Sequence, residues 1–153
     1  MFPRTNNRVA KHTAEKVNKR IEALTQHNLA EYAKHPANIQ KRIDELDREW
    51  DVERALEANA ATVGLAGLAL GLFVNKKFFA LPAIVGTFLL EHSLQGWCPP
   101  VPVLRRFGFR TQREIDNERF ALKALRGDFS RTPAFGQEAP QNAAVDTLKA
   151  VTT

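Results

Sequence analysis

Only one cysteine, Cys98, stands in the 153-residue chain, so an internal disulfide is excluded and the redox compartment is left open. Charge is missing altogether from residues 58–74, "ANAATVGLAGLALGLFV", although a quarter of the whole chain is charged. Neither Gly nor Pro occurs between Ala37 and Val63, so nothing there obliges a helix to stop. The opening "MFPRTNNRVAKHTAEK" has no apolar core, and no secretory signal is expected. An early Glu15 and a lack of serine also set it apart from a mitochondrial presequence. There is no nucleotide-binding glycine loop, no nucleophile elbow and no paired-carboxylate site. An enzyme, a cofactor and a small-molecule substrate are therefore not expected. The charges alternate rather than cluster and no ladder of stacking aromatics is present, which argues against nucleic acid as a partner.

What is present divides the chain sharply. Residues 1–57 carry 11 Lys/Arg and 10 Asp/Glu, and the uncharged run follows at once. Val17, Ile21, Leu24 and Tyr32 share one helical face, interrupted by Asn28, and predict a helix over about 13–35. His35-Pro36 ends it, and Pro36 suits the first turn of the next. Ile39, Ile43, Leu46 and Trp50 form a narrow stripe on a charged rod over about 37–57. That rod is expected to run on into the apolar segment. Its polar side mixes both signs, so protein–protein packing is favoured over lying on a membrane.

The 17 uncharged residues of 58–74 would extend roughly 26 Å as a helix, just short of the bilayer core, and about 56–74 would span it. Asn75-Lys76-Lys77 is a tight connection. The segment 78–97 is then long enough to return. Two such segments in lipid satisfy their backbones only as helices, which predicts a transmembrane hairpin over 58–97. Ala60, Gly64, Gly67 and Gly71 give small residues at four-residue spacing, suited to close helix packing. The bland reading is that Gly and Ala are common in any apolar helix. Pro82 is expected to bend or start the second span.

Beyond it, Cys98-Pro99-Pro100 punctuates the end of the span. Thr111 and Glu114 form a capping box that opens a helix over 112–126, with Ile115, Leu122 and Leu125 on one side and Gly127 as its stop. Residues 98–127 thus hold a Cys-Pro turn and a capped helix, and 128–153 read as a flexible tail. The fold class is all-α: a two-helix transmembrane hairpin flanked by amphipathic helices. Arginines precede the first span and follow the second, which puts both termini in the cytoplasm, although Lys76 and Lys77 in the loop weaken the bias. Trp50, Trp97, Arg105 and Arg106 are expected as interface anchors.

Three side chains invite chemistry. Cys98 lies near Arg105 and Arg106, and positive charge activates a thiol, so a redox or sulfur-transfer role is one reading. His92, six positions earlier, makes a weak metal pair with it, without further ligands at metal spacing. A lone cysteine is more often a small apolar filler, and that reading is preferred. Glu91 and His92 end an apolar run, where interfacial anchoring is favoured over an ion or proton path.

The order of these features resembles the YgaP-like inner-membrane transmembrane domain family of bacteria. That family shows an arginine-flanked helix, a glycine-rich hairpin, Gly-aromatic-Cys-Pro and then Gly-x-x-Thr. Here these positions are Arg54, Gly96, Trp97, Cys98, Pro99, Gly108 and Thr111, over residues 52–112. Pro100 departs from the pattern, as do the charged helices on either side. The resemblance implies a bacterial inner membrane and no assigned activity. Some members carry a sulfur-transferring rhodanese domain, for which this chain has no room. The expected partners are the lipid bilayer and either a second copy or another membrane protein, with the chain as a non-enzymatic scaffold or accessory subunit. A soluble helical protein that buries the hairpin is a further alternative.

Overall fold

The structure, a computed structural model, describes residues 8–130 and 143–152. The described residues are helical, with no strand among them. They form two compact units, Met1–Glu22 with Trp50–Arg113, and Ala23–Glu49 with Glu114–Thr153.

The first unit contains α1 (Arg8–Lys11), the opening of α2 (Glu15–Lys34), α4 (Val52–Phe73), α5 (Ala80–Gln95) and α6 (Val101–Arg106). Helices α4 and α5 make the hairpin. Asn75 caps the connection by accepting from the Lys77 amide at 2.9 Å, and a 3-10 turn, Lys76–Phe79, leads into α5. Pro82 sits in the first turn of α5, where its missing N–H leaves no carbonyl stranded, so it starts the helix rather than bending it.

The close approach of the two helices depends on two glycines. A Cβ on Gly67 would meet the Pro82 ring at 2.7 Å, and one on Gly71 would meet the Phe79 ring at 2.7 Å. Gly64 faces open space, and Ala60 is partly buried beside a cleft. Two of the four small-residue positions, Gly67 and Gly71, thus allow the close approach, while Gly64 faces away from α5 and Ala60 lines a cleft.

The second unit holds the rest of α2, a 3-10 turn over Pro36–Asn38, α3 (Ile39–Leu46), α7 (Gln112–Arg126) and α8 (Ala143–Thr152). Ile39, Ile43 and Leu46 of α3 pack with Ile115 and Leu122 of α7, and Leu29 and Tyr32 of α2 close the cluster. Helix α2 falls within one residue or two of the expected 13–35, but Leu24 of its stripe is exposed. Asn28, which breaks that stripe, donates to Glu118 at 3.2 Å, so the interruption has a partner.

Two expectations are overturned. The helix expected over 37–57 stops at Leu46, and α4 begins afresh at Val52. Asp51 takes an extended conformation there and accepts from the Arg54 amide at 2.6 Å. Such a carboxylate satisfies an orphan amide of a new helix start, and this ends the rod without help from Gly or Pro. Trp50 consequently leaves the apolar stripe and lies 47 % exposed. The tail expected to be flexible over 128–153 contains α8. Residues 131–142 of that expectation lie outside the described residues.

Candidate functional site

The polar ends of α4 and α5 meet at the base of the hairpin. Glu53 lies in the first turn of α4 and His92 in the last turn of α5. A hairpin brings these ends together by topology alone. Helix α5 closes on Gly96, whose φ of +79° favours glycine and whose amide bonds to the His92 carbonyl at 2.7 Å. A Cβ at Gly96 would meet the Arg8 side chain at 2.5 Å, so α1 seats directly on this turn. Arg8 also donates to the Ser93 carbonyl at 3.1 Å.

An apolar cluster sits beside them. Val9, Val52, Leu56, Cys98 and Val101 are buried together, with Leu89, Leu104 and Phe109 against them. The amide of Val52 donates to the Arg110 carbonyl at 2.8 Å, which satisfies another orphan of the α4 start. A small apolar cleft of about 100 Å³ opens between α4 and α5, lined by residues including Leu56, Val63, Val85, Leu89 and Cys98.

Arg105 is a buried charge with several partners. It is fully buried and donates to Thr13 Oγ1 at 3.2 Å, the Phe109 carbonyl at 3.1 Å and Asn18 Oδ1 at 2.9 Å. Its expected role as an interface anchor is therefore overturned: it ties α6 to α2 and to the following chain. Arg106 is exposed, Trp97 half-buried, and the Arg54 guanidinium carbon lies over Trp50, 4.6 Å from the ring centroid.

His92 differs from Arg105. It is only 4 % exposed, yet neither ring nitrogen has a hydrogen-bond partner among the described residues. The buried Nε of Arg8 and Oε2 of Glu53 are also without one. Arg8 lies close enough for its charge to be felt at both Glu53 and His92. Each buried polar group left without a partner costs roughly 1–3 kcal/mol, and native interiors satisfy such groups with protein or with water. An imidazole, a carboxylate and a guanidinium thus share one neighbourhood at the base of the hairpin. His92 was legible as an ionisable group ending an apolar run. Arg8 and Glu53 carried no signal, because only the seating of α1 on Gly96 brings the first into play.

Cys98 is buried, and burial first, then the Glu91 carboxylate, push its thiol above the ordinary value. Of the two arginines expected to activate it, Arg105 and Arg106, the first is spent on Thr13, Asn18 and Phe109. Among the described residues no three His, Cys, Asp or Glu side chains gather to hold a metal, His92 and Cys98 included. Thr111 directly precedes α7, at the position a capping residue takes, and Glu114 lies in its first turn.

Both hairpin helices are long and apolar enough to cross a membrane, Val52–Phe73 with 22 residues and Lys76–Gln95 with 20. Comparison with protein-family models, with curated proteins and with solved structures finds no match for this chain.

Proposed function

We propose that the chain is an integral membrane protein of the bacterial inner membrane. The α4–α5 hairpin is its anchor, and its second unit is a docking module for a second copy or another membrane protein. The observation that carries this reading is where the apolar side chains point. Only 17 % of the most apolar stretch of α4 and 6 % of that of α5 is buried within the chain. The 17 uncharged residues of 58–74 rise roughly 26 Å, and the 20 of Lys76–Gln95, the 3-10 turn included, roughly 30 Å, close to a hydrocarbon core of about 30 Å. In water so continuous an apolar surface is a liability, whereas in lipid it is the solvated face.

The polar residues favour the same placement. Glu53, Arg54, Glu57, Glu91 and His92 all lie at the base, and Asn75, Lys76 and Lys77 at the opposite end, with nothing charged between. Arginine-rich flanks favour a cytoplasmic base and both termini inside. The resemblance to the YgaP-like family implies the inner-membrane hairpin itself. The role is that of a scaffold or accessory subunit, because the most nucleophilic candidate, Cys98, is buried with its thiol pushed toward the protonated form. The sulfur-transfer reading loses its physical support by the same observation.

Sizing the full chain in mild detergent, alongside cross-linking in intact membranes, tests the docking role. An oligomer or one reproducible cross-linked partner is expected. A strict monomer that cross-links to nothing contradicts it.

A further inference from the structure

Helix α6 presents two faces of opposite purpose. Val101 and Arg105 are buried and Leu104 is packed against the base of the hairpin. Val103, Arg106 and Phe107 fall at i, i+3 and i+4, which is one outward face. Val103 is 50 % exposed and Phe107 79 % exposed. The Arg106 side chain is exposed and, among the described residues, has no acidic partner.

A soluble helix turns such residues inward. Here a valine and a phenylalanine flank an unpaired cation on the outside of a helix whose inside holds a buried arginine. The element adjoins the hairpin directly, since Val101 shares a core cluster with Val52 and Leu56 at the start of α4. Trp50 and Trp97 stand at the same end of the hairpin. Aromatic rings beside a free arginine, at the polar end of an apolar helix pair, are the composition that the headgroup zone of a bilayer accepts.

We infer that the Val103–Arg106–Phe107 face of α6 docks on the bilayer interface. Phe107 and Val103 enter the boundary between headgroups and acyl chains, and Arg106 pairs with the phosphate of an anionic phospholipid. The inference rests on the membrane reading of the hairpin and adds a surface that reading does not need. It makes α6 a rest that fixes how deep the hairpin base sits, with the unpaired positive charge setting a preference for anionic lipid.

The test is nitroxide accessibility in vesicles of phosphatidylethanolamine and phosphatidylglycerol. The full chain carries Cys98→Ala and one new label site, Phe107→Cys, Leu68→Cys in the hairpin or Leu125→Cys in the second unit. Should Cys98→Ala not fold, Cys98 is kept, and the label taken up by this buried thiol in the otherwise unaltered chain is subtracted. The expected result is three levels. The label at 68 favours oxygen over a water-soluble nickel chelate, the label at 125 does the reverse, and the label at 107 falls between. Omitting phosphatidylglycerol, or adding Arg106→Gln, moves position 107 several-fold toward the level of 125. Position 107 as open to nickel as 125, with 68 still shielded, overturns the docking of α6 and leaves the anchored hairpin standing. Position 107 closed to both reagents also overturns it, because a protein then covers the face. All three positions open to nickel overturn the membrane reading itself.

Discussion

In the second unit Ile39, Ile43, Leu46, Ile115 and Leu122 are at most 1 % exposed, while along the hairpin Leu72 is 71 % and Phe73 86 % exposed. The polar groups differ as well. Glu118, fully buried, is held by Arg42 at 2.9 Å and by Asn28 at 3.2 Å. Lys123, also buried, donates to the Val151 carbonyl at 2.9 Å. At the hairpin base, His92 is buried with both nitrogens unpartnered among the described residues. One chain thus sorts its side chains by two rules. The second unit closes a core around α3 and α7, although Leu24, Leu125 and Leu148 stay exposed, whereas the hairpin leaves most of its apolar side chains uncovered by the chain. This contrast is what the membrane reading proposed above explains.

Removing Arg42 should break the contrast most severely. Arg42→Ala takes the salt bridge from a carboxylate that cannot reach water, and a loss of about 3 kcal/mol is expected in chemical denaturation of the second unit. Arg42→Lys is expected to recover part of it, because the ion pair survives without the same hydrogen-bond geometry.

A pair of truncations sharpens the comparison. Ile43→Ala opens a cavity in a closed core and should cost roughly 2–4 kcal/mol. Leu72→Ala removes a side chain that touches little of the protein, and a change within about 0.5 kcal/mol is expected in bilayers. Equal losses at both positions would mean that the hairpin is buried after all.

Gly96→Ala should fall between these values. The left-handed backbone alone costs roughly 1–2 kcal/mol, and Arg8 must give way as well. Proteolysis near residue 8 is expected to quicken, reporting that α1 has left its seat.

The smallest effect is a pH limb. Asp128 is bonded by Arg126, chiefly through that hydrogen bond, and its carboxyl is held below the ordinary aspartate value. A depressed folded-state value means that the native state keeps the charged form longer. The contribution is therefore complete above the ordinary value of about 4 and disappears as pH falls through the lower folded value. Asp128→Asn should flatten this limb by up to about 1 kcal/mol and leave stability at neutral pH lower by the same amount.

The sequence carried the helices whose pattern is local. The stripe Ile39, Ile43, Leu46 lands in the core, and the capped helix 112–126 agrees with α7. The two long apolar segments are helices joined at Asn75. What failed depended on contacts distant in the chain. Trp50 continued the periodicity but is thrown off by the Asp51 cap, whose carboxylate competes with helix continuation. Arg105 looked like a partner for lipid, yet Thr13 and Asn18, some 90 positions away, enclose it. Arg8 gave no sign, because its role depends on Gly96 lacking a side chain. Charges flanking an apolar run do not say which of them face lipid and which face protein.

The proposed function hinges on the hairpin having lipid as its solvent. The most direct measurement is the partition of the full-length chain after membranes are washed with alkaline carbonate, followed by detergent extraction of the pellet. An anchored hairpin stays in the washed membranes and leaves only with detergent. Release of the chain into the carbonate wash as a folded, detergent-free species would contradict the central claim, and would mean that protein rather than lipid covers α4 and α5.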